Sequence, residues 1–497
     1  MAMTMGSGKT ATSITAVRRL RRLRRVDRGC VFAPKSVKYQ WAREIAKWDP
    51  RASVQVIDGD KRQRTFGIQR SEYFNYTILH YQCLVNDWEE ITGNLRIDFI
   101  ILDEVTAIKG FTAKTSKRAK LLGRHTDHRF GLSGQPVENK PEELFSVMQF
   151  IDPEVLGGFH RFDRAFITRD HWGKPKRYKN LPTLQRVMEP AMFRRSREDI
   201  AEWLPERIEI EVPVVLDAPV MKLHNHIRDD LSAAIDTAIG LGAHGKFDVL
   251  AHYGATEHGE QMTAMGQVMT RLLAMRMISS HPHLLRLSAD EFDNPLSKQG
   301  SEYASTLKAQ GLLDNLPLHT EKLDALVEMV EQILDEDRRH KVVIFSYFKP
   351  TLRILQAQLR SGAQSQSVLI DGTVTGRQRD HAIQSFNTDP QCRIFLSSDA
   401  GAYGVDLNQG SHLVSYDLPW SGGALAQRVA RIDRTNSAFS SIQIAYMYGQ
   451  GTIEERMYRM LAQKMRVARA FLDGEFDGKT GGISLDLESL REFLDGA

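Results

Sequence analysis

The residues best suited to chemistry come early in the chain, in the run Met-Gly-Ser-Gly-Lys-Thr that ends at Thr10. Gly6 and Gly8 have no Cβ, so the backbone can curl and present successive N–H groups to a polyphosphate. Lys9 can reach the terminal phosphates, the Thr10 hydroxyl can ligate Mg²⁺, and the N-terminus of the following helix directs positive charge at the same anion. Together with Ser7, these residues predict a site for a nucleotide phosphate.

Two adjacent carboxylates form the second candidate. Asp103 and Glu104 follow Ile-Ile-Leu at positions 100–102, three residues typical of a buried strand. In open α/β folds, ligands bind at the carboxyl edge of the sheet, which is where such a strand delivers its last side chains. Asp103 could hold Mg²⁺ directly or through water, and Glu104 could orient and deprotonate an attacking water. Two acids after a strand are by themselves a weak signal of a catalytic pair. A phosphate-binding loop about ninety residues earlier makes that signal strong.

Arginines in the second half of the chain form the third candidate. Arg431 and Arg434 follow Gln427 and are three residues apart, a spacing that predicts a shared helix face. Two guanidinium groups so placed could enter one triphosphate site from a neighbouring lobe, where an arginine contributes on the order of 10³–10⁵ in rate. A solvated salt-bridge helix is the alternative. The turn that starts at Ser133 and includes Gln135 is also open to two interpretations, a plain tight turn or a polar loop beside the nucleotide.

The elements that must position these residues fall into two stretches of α/β texture. Short apolar runs, continuous rather than alternating, predict parallel strands covered on both faces. These runs lie at 30–33, 54–57, 76–79, 98–102, 129–132, 342–345, 368–370, 394–397, 413–416 and 442–447. We predict a first α/β lobe over 1–212, a helical insertion and linker over 213–320, a second α/β lobe over 321–472 with a final helix from about 453, and a tail over 473–497.

Length and composition narrow the classes of protein. A chain of 497 residues exceeds one ordinary core, so two or three domains are expected. There is no run of about 18 uncharged apolar residues and no signal-peptide pattern, which argues against a membrane-spanning or secreted protein. The three cysteines are widely spaced and lack metal spacing, so they indicate buried thiols in a reducing compartment.

A basic cluster stands out against a net charge of only +4. Seven arginines between positions 18 and 28 crowd the end of the first predicted helix. They form either a solvated face, with cations favoured at a helix C-terminus, or a contact surface for a phosphate backbone. The sequence leaves both interpretations open.

These segments together resemble the motifs of superfamily-two helicases, and specifically of the Swi/Snf-type ATP-dependent DNA translocases. The resemblance runs from Met5 to about residue 472 and keeps the order of the family's motifs. The segments similar to motifs I, Ia, II, III, IV, V and VI are 6–10, 32–36, 103–104, 133–136, 343–346, 398–408 and 427–434. Segments 142–153, 193–205, 281–285 and 371–387 also fit, and 451–455 resembles the start of the family's brace helix.

The resemblance implies two RecA-like lobes with parallel sheets, a helical insertion between them and a C-terminal brace helix. ATP and Mg²⁺ would bind between the lobes. The catalytic residues would be Lys9, Asp103, Glu104, Arg431 and Arg434, with Thr10 and Asp103 as metal ligands. Further nucleotide contacts would come from Gly6, Ser7, Gly8, Gly404, Asp406 and Gln427. The residues in motifs that contact DNA or relay to it are Lys35, Ser133, Gln135, Ser346 and Ser398.

The implied activity is ATP hydrolysis coupled to movement along double-stranded DNA. ATP would close the lobes and hydrolysis would reopen them, while backbone contacts would make the enzyme largely indifferent to DNA sequence. A strand-separating or annealing helicase, and a catalytically weak DNA-binding module, are the alternatives. We expect a monomer without membrane association, in the cytoplasm of a bacterium or of a virus-infected cell, with protein partners unknown.

The sequence also departs from the family pattern. Val105 and Thr106 follow the acid pair, where the family usually has Ala or Ser and then a histidine that couples the nucleotide to motif III. Gln135 replaces a threonine of motif III, and Asp406 stands where the subfamily often has asparagine. The family's segment before motif I, which carries an adenine-reading glutamine, has no counterpart in this sequence. Coupling and adenine selectivity are therefore expected to differ from the family's.

Overall fold

The computed structural model describes residues 1–3, 7–134, 141–169, 175–241, 260–297, 299–362, 365–374, 376–399, 401, 404–473 and 487–495. This part of the chain divides into two compact units. The first unit comprises Met1–Leu204 with Lys464–Gly482, and the second comprises Pro205–Gln463 with Ile483–Ala497.

The first unit is built on a five-stranded parallel sheet. After the two-residue strand β1 (Ala2–Met3), the strands are β2 (Gly29–Ala33), β3 (Val54–Val56), β4 (Tyr76–His80), β5 (Phe99–Asp103) and β6 (His128–Leu132), in the order β3-β4-β2-β5-β6. Side chains alternate across the sheet, so that Cys30 and Phe32 enter one core while Val31 and Ala33 enter the other. Burial on both faces explains why these strands are continuous apolar runs in the sequence.

Helices cover both faces of this sheet. They are α1 (Lys9–Arg22), α2 (Lys38–Trp48), α3 (Lys61–Gln69), α4 (Cys83–Asn86), α5 (Trp88–Asn94), α6 (Lys114–Gly123) and α7 (Pro141–Ile151). Helix α3 begins with a reciprocal capping box formed by Asp60 and Gln63. Short 3₁₀ helices occur at Lys35–Val37, Ser71–Tyr73 and Val105–Ile108.

A smaller apolar core lies beside the sheet of the first unit. It involves α7, α8 (Pro153–Leu156), α9 (Phe159–Phe166), the antiparallel pair β7 (Ile167–Arg169) and β8 (Pro175–Tyr178), and α10 (Leu181–Met188). Two 3₁₀ helices, Glu189–Ala191 and Glu198–Trp203, and the two-residue strand β9 (Arg194–Arg195) then lead out of the unit. Because β9 pairs with β1, the end of the first unit lies against its beginning.

The second unit has a six-stranded parallel sheet in the order β10-β15-β14-β11-β13-β12. Its strands are β10 (Glu206–Val214), β11 (Val342–Phe345), β12 (Gln366–Ile370), β13 (Cys392–Ser397), β14 (His412–Ser415) and β15 (Ser441–Gly449). The helices are α11 (Ala218–Gly240), α12 (Glu260–Ser280), α13 (His283–Asp293), α14 (Glu302–Ala309), α15 (Glu321–Glu336), α16 (Lys349–Gly362), α17 (Gly376–Thr388), α18 (Gly422–Val429), α19 (Ile453–Asp473) and α20 (Leu487–Asp495). The residues of α19 from Lys464 onward belong to the first unit.

Strand β10 belongs to a different sheet from the one that the sequence suggested. The sequence analysis placed residues up to 212 in the first lobe, whereas β10 pairs residue by residue with β15 from Glu206 to Val214. Charged and apolar residues alternate in 206–212, which is the pattern of a half-buried strand. This pattern was the signal in the sequence that could have identified β10. The ten strands predicted from the sequence all form, and the final helix starts at Ile453 as expected. The division of the chain into two lobes, a helical insertion and a tail otherwise stays a prediction.

No helix in the described ranges combines the length and the apolar character needed to cross a membrane.

Candidate active site

The phosphate-binding loop leads into the first turn of α1. Gly8 is the residue before the helix and has φ 86°, a left-handed conformation that favours glycine. No side chain caps the helix, and no acidic residue lies in its first turn. The helix dipole and the first N–H groups of α1 therefore favour an anion at this end of the helix. Met5 and Gly6 lie outside the described residues.

The lysine of this loop is held near the end of β1. Lys9 Nζ donates a hydrogen bond to the Met3 carbonyl, 3.1 Å away. Strand β1 is in turn joined to the end of β6 by a bridge from Ala2 to Ser133. The two residues of β1 thus have pairing partners on both sides. Ser7 and Thr10 are both partly exposed beside Lys9.

The acid pair stands at the carboxyl end of β5, as predicted. Asp103 Oδ2 accepts a hydrogen bond from Trp41 Nε1 at 2.8 Å, Oδ1 accepts one from the Glu104 N–H at 3.1 Å, and the Asp103 carbonyl accepts one from the Tyr81 hydroxyl at 2.7 Å. Burial raises the pKa of Asp103, while the Trp41 hydrogen bond and the positive charge of Lys9 oppose that rise. The carboxylate is oriented by two donors and is within electrostatic reach of Lys9.

Glu104 has a left-handed backbone, with φ 50° and ψ 59°. This conformation costs a residue with a Cβ about 1–2 kcal/mol and is often found at functional sites. The next residues hold it in place, since Val105 and Ile108 are buried in the core. The Ile108 carbonyl also accepts hydrogen bonds from the hydroxyls of Ser116 at 2.9 Å and Ser146 at 2.7 Å. Val105, a departure from the family pattern, therefore anchors the turn that sets the direction of Glu104.

Parallel strands bring the other predicted residues of the first unit to this same sheet edge. Lys35 follows β2 and is exposed, whereas Ser133 follows β6 and is only 2% exposed. Gln135 lies outside the described residues. Within the described ranges, no group of three or more His, Cys, Asp or Glu side chains could hold a metal. Mg²⁺ bound through nucleotide phosphates needs only one or two protein ligands, and the Asp103 carboxylate and the Thr10 hydroxyl are groups of that kind.

The arginines of the second unit are placed differently from the sequence prediction. Helix α18 ends at Val429, so Arg431 and Arg434 lie in the turn and loop that follow and do not share a helix face. The Arg431 carbonyl accepts a hydrogen bond from the Leu407 N–H at 3.0 Å, and Arg431 Nη1 donates to the Val405 carbonyl at 3.3 Å. The carbonyl and the side chain of Arg431 are thus both bonded to the segment at Val405–Leu407.

Arg434 lies near a carboxylate of the same unit. Its Nε is 3.7 Å from Asp406 Oδ1, and the two side chains are 19% and 50% exposed. The Asp406 carbonyl accepts a hydrogen bond from Asn387 at 2.9 Å. Gln427, on α18, is partly exposed. Three of the predicted nucleotide contacts and both arginines thus come from two neighbouring segments, 404–408 and 427–434.

The loop after β13 is shaped by close backbone contacts. A Cβ on Gly401 would lie 2.2 Å from the Ile370 carbonyl oxygen, so only glycine fits there. The Ser398 hydroxyl accepts a hydrogen bond from the Gly401 N–H at 3.2 Å, and Gly404 has φ 70°. Ser398 is thus engaged in holding its own loop.

Ser346 and Arg428 belong to a buried network around Asp417. The Ser346 hydroxyl and the Tyr347 N–H both donate to the Asp417 carboxylate, and Ser346 is fully buried. Arg428 donates to Asp399 at 2.6 and 2.9 Å and also to the Asp417 carbonyl. The network therefore joins the ends of β11, β13 and β14 to α18.

The residues that orient the predicted site residues were not identified from the sequence. Trp41 and Tyr81 fix Asp103 in the first unit, and Arg428 with Asp399 and Asp417 fixes the loops of the second. Arg428 stood beside Gln427 in the sequence, but its carboxylate partners are distant in the chain. A buried arginine requires such a partner, and the sequence does not say which one it is.

Two sequence families match the chain. Residues 1–284 match the SNF2-related domain, and residues 321–436 match the helicase conserved C-terminal domain. The DNA repair and recombination protein RAD54B of Gallus gallus is 25% identical over 517 aligned residues, which cover 99% of this chain and 53% of that protein. The chain spans about half the length of the RAD54B proteins that it matches.

Two solved structures are similar to the chain. The helicase domain of Hef from Pyrococcus furiosus has a TM-score of 0.50 at 15% identity, with 92% of this chain and 94% of that chain covered. The SWI2/SNF2 ATPase core of Sulfolobus solfataricus in complex with dsDNA has a TM-score of 0.39 at 23% identity, with 95% of this chain and 88% of that chain covered. The likeness to Hef confirms the mixed α/β fold with parallel sheets in two lobes.

Proposed function

Because this chain belongs to the SNF2-related domain family, which it matches over residues 1–284, we propose that it is a DNA-dependent ATPase that moves along or remodels double-stranded DNA. The observation that carries the proposal is the arrangement of the first unit. An uncapped helix N-terminus with Lys9 lies within electrostatic reach of the oriented Asp103 carboxylate, and Glu104 follows it.

In this proposal each residue of the first unit has one task. The N–H groups of the loop at Ser7 and Gly8, together with Lys9, bind the phosphates. Thr10 and Asp103 hold Mg²⁺, which would neutralise charge on the phosphate oxygens. Glu104 orients the attacking water and accepts its proton. The strained backbone of Glu104 and its buried neighbours favour this role, because they fix the direction of the side chain.

The second unit is proposed to complete the reaction. Arg431 and Arg434 stabilise negative charge that develops on the transferred phosphoryl group. Asp406, Gly404 and Gln427 contact the nucleotide. The buried network at Arg428 supports this role, because it ties together the segments from which these residues arise.

Duplex DNA is the proposed polymer. RAD54B of Gallus gallus is named for DNA repair and recombination, and the Sulfolobus core was solved with dsDNA. Lys35, which is exposed at the sheet edge, suits a phosphate contact. Ser133, Ser346 and Ser398 are buried, and their proposed role is to relay DNA contact to the nucleotide site. Gln135 is assigned to the same role from the sequence.

Phosphate release with and without duplex DNA tests the proposal. Duplex should raise the rate at low salt, and Lys9→Ala and Glu104→Gln should each abolish turnover, with Glu104→Gln still binding ATP. Lys61→Ala and Glu89→Gln, two exposed positions of the same unit, should leave the rate unchanged. A wild-type rate that duplex DNA does not change would contradict the proposal.

Origin and compartment are proposed from the sequence alone. We expect a monomer in the cytoplasm of a bacterium or of a virus-infected cell. The RAD54B relatives, in contrast, come from animals. Analytical ultracentrifugation of the purified chain, alone and with duplex DNA, checks the oligomeric state.

A further inference from the structure

The arginine cluster of the sequence forms an exposed surface at the end of α1. Arg19 and Arg22 are exposed on the last turns of the helix, and Arg24 and Arg25 are exposed in the turn that follows. The ion pairs of this segment involve other arginines, since Arg21 pairs with Asp49 and Arg28 with Asp27. Among the described residues, no carboxylate lies within ion-pair distance of the four exposed guanidinium groups.

The end of α2 extends this surface. Arg18 Nη1 donates to the Trp48 carbonyl at 2.9 Å, and Arg21 binds Asp49 at 2.7 Å, so the two helix ends lie side by side. This brings exposed Lys47 and Arg51 next to the four arginines. We call Arg19, Arg22, Arg24, Arg25, Lys47 and Arg51 the arginine surface.

The backbone of Arg24 indicates that the surface is not merely solvated. Helix α1 ends in a Schellman motif, in which the Arg25 N–H bonds to the Leu20 carbonyl at 3.0 Å and the Arg24 N–H to the Arg21 carbonyl at 2.9 Å. Arg24 occupies the position where glycine is usual and has φ 53°. An arginine at this position is strained, and its exposed guanidinium group has no ion-pair partner among the residues that the structure describes. Strain of this kind points to a functional reason for the residue.

The arginine surface lies at the opposite edge of the sheet from the candidate active site. Asp103 ends β5, whereas Arg28 directly precedes Gly29, which pairs with Phe99 at the start of β5. Helix α1 has 14 residues and therefore spans about 20 Å between Lys9 and Arg22. The arginine surface is thus too distant to contact the nucleotide.

We propose that the arginine surface binds the phosphate backbone of a second segment of duplex DNA, separate from the segment on which the ATPase acts. The proposal rests on the proposed function for the identity of the first segment. Arginine forks pair with phosphate oxygens in two-pronged hydrogen bonds, and six cations without carboxylate partners give a strong, salt-dependent attraction to a polyanion. The chain would thereby hold two duplexes, or two parts of one long molecule, at once.

A capture assay tests this directly. The full chain is bound to a short immobilised duplex, and a second, fluorescent duplex is then added over a range of salt concentrations. Wild type should capture the second duplex. A variant with Arg19, Arg22, Arg24 and Arg25 all changed to Gln should lose at least tenfold in capture affinity, and the slope of log affinity against log salt should shrink by about 3 to 4.

A single change separates binding from structure. Arg24→Gly should raise the midpoint of thermal unfolding by about 2–4 °C, because it relieves the left-handed strain. It should also weaken capture and reduce the salt slope by about 1. Arg338→Gln, at an exposed turn of the second unit, is the matched control and should leave capture unchanged.

Several outcomes would overturn the proposal. They are failure of wild type to capture a second duplex, undiminished capture by the fourfold Gln variant, and full capture by a stabilised Arg24→Gly. If the fourfold Gln variant lost binding to anionic vesicles but captured the duplex as well as wild type does, the surface would be assigned to a lipid. That result would also overturn the proposal. Failure of the proposed function is distinct, because it would abolish duplex-stimulated phosphate release while capture by the arginine surface persists.

Discussion

At the scale of single residues, the candidate site depends on side chains that do not themselves react. Trp41 donates to Asp103, and Tyr81 fixes the carbonyl of the same residue. Trp41 lies on α2, which shares a core with β5, and Tyr81 directly follows β4, which is separated from β5 by β2. Catalysis by Asp103 and Glu104 would therefore be sensitive to changes at positions that carry no reactive group.

Trp41→Phe should lower ATP hydrolysis while leaving the fold intact. The change keeps most of the buried ring but removes the hydrogen bond to Asp103. A hydrogen bond to a charged group contributes about 1.5–3 kcal/mol, so we expect kcat to fall by about tenfold or more. Trp48→Phe is the control, because Trp48 is 37% exposed and its Nε1 binds Glu44. Equal rates in wild type and Trp41→Phe would show that Asp103 does not need this donor.

Asp406→Asn should raise kcat/KM for ATP by up to about fivefold if Asp406 restrains Arg434. The two side chains are 3.7 Å apart, and a partly exposed ion pair contributes about 0.2–1 kcal/mol, which Arg434 must give up to reach a phosphate. Asp335→Asn, at an exposed position on α15, is the control. Steady-state kinetics at varied ATP decide the point. A decrease in kcat/KM would instead show that the proposed nucleotide contact requires the charge of Asp406.

At the scale of elements, buried polar contacts determine how the helices of the second unit meet its sheet. Lys322 on α15 binds Glu454 on α19 at 2.6 Å, and both side chains are almost completely buried. Glu454 also accepts the Gly449 N–H at 2.9 Å, at the end of β15. Burial raises the pKa of Glu454, and Lys322 opposes that rise. One ion pair thus links two helices and a strand.

Lys322→Met should destabilise the second unit by about 3–5 kcal/mol at neutral pH, because Glu454 would be left charged and unpaired in the interior. The loss should shrink at acidic pH, where Glu454 takes up a proton. Urea unfolding followed by circular dichroism measures both effects. The double variant Lys322→Met/Glu454→Gln should be more stable than the single one.

The surface pair Arg459–Glu455 provides the contrast. Arg459 is 74% exposed, so Arg459→Met should cost less than about 1 kcal/mol. If Lys322→Met were no more costly than Arg459→Met, the buried pair would contribute nothing to the attachment of α19.

At the scale of the whole molecule, three buried histidines make stability depend on pH. His224, His281 and His412 are each at most 9% exposed. Burial lowers the pKa of each to about 4, assisted by the neighbouring His283 at His281 and His340 at His412. An unfolded histidine titrates near 6.5, so between pH 6.5 and 4 the unfolded chain binds protons that the folded chain excludes. Stability should therefore fall as the pH falls through this range, and Glu454, whose pKa is raised, contributes in the opposite direction.

His224→Gln should flatten this dependence. His224 Nε2 accepts a hydrogen bond from the Ile453 N–H at 3.3 Å, and a glutamine carbonyl can take its place without titrating. The slope of unfolding free energy against pH should decrease by up to about 1.4 kcal/mol per pH unit. His226→Gln, two residues away and 45% exposed, is the matched control for the substitution itself. An unaltered slope in His224→Gln would mean that His224 is not excluded from protonation.

The sequence by itself determined the features that depend on neighbours along the chain. The phosphate-binding loop, the acid pair after β5 and all ten predicted strands follow from residue type, spacing and apolar continuity, which are local properties. The motif order was enough to identify the family. For the same reason the sequence could place Lys9, Asp103 and Glu104 at one sheet edge, since the carboxyl ends of parallel strands meet there.

Only the tertiary structure decided which distant groups satisfy buried polar atoms. Trp41 is 62 residues from Asp103, and Arg428 is 29 residues from Asp399, so neither pair follows from spacing. The helix predicted through Arg431 and Arg434 stops at Val429, and the distant segment at Val405–Leu407 bonds to the carbonyl and the side chain of Arg431. Strand β10 joins the second sheet because β15 offers nine residues of pairing. These outcomes depend on competition between partners brought together only by folding, which local patterns cannot resolve.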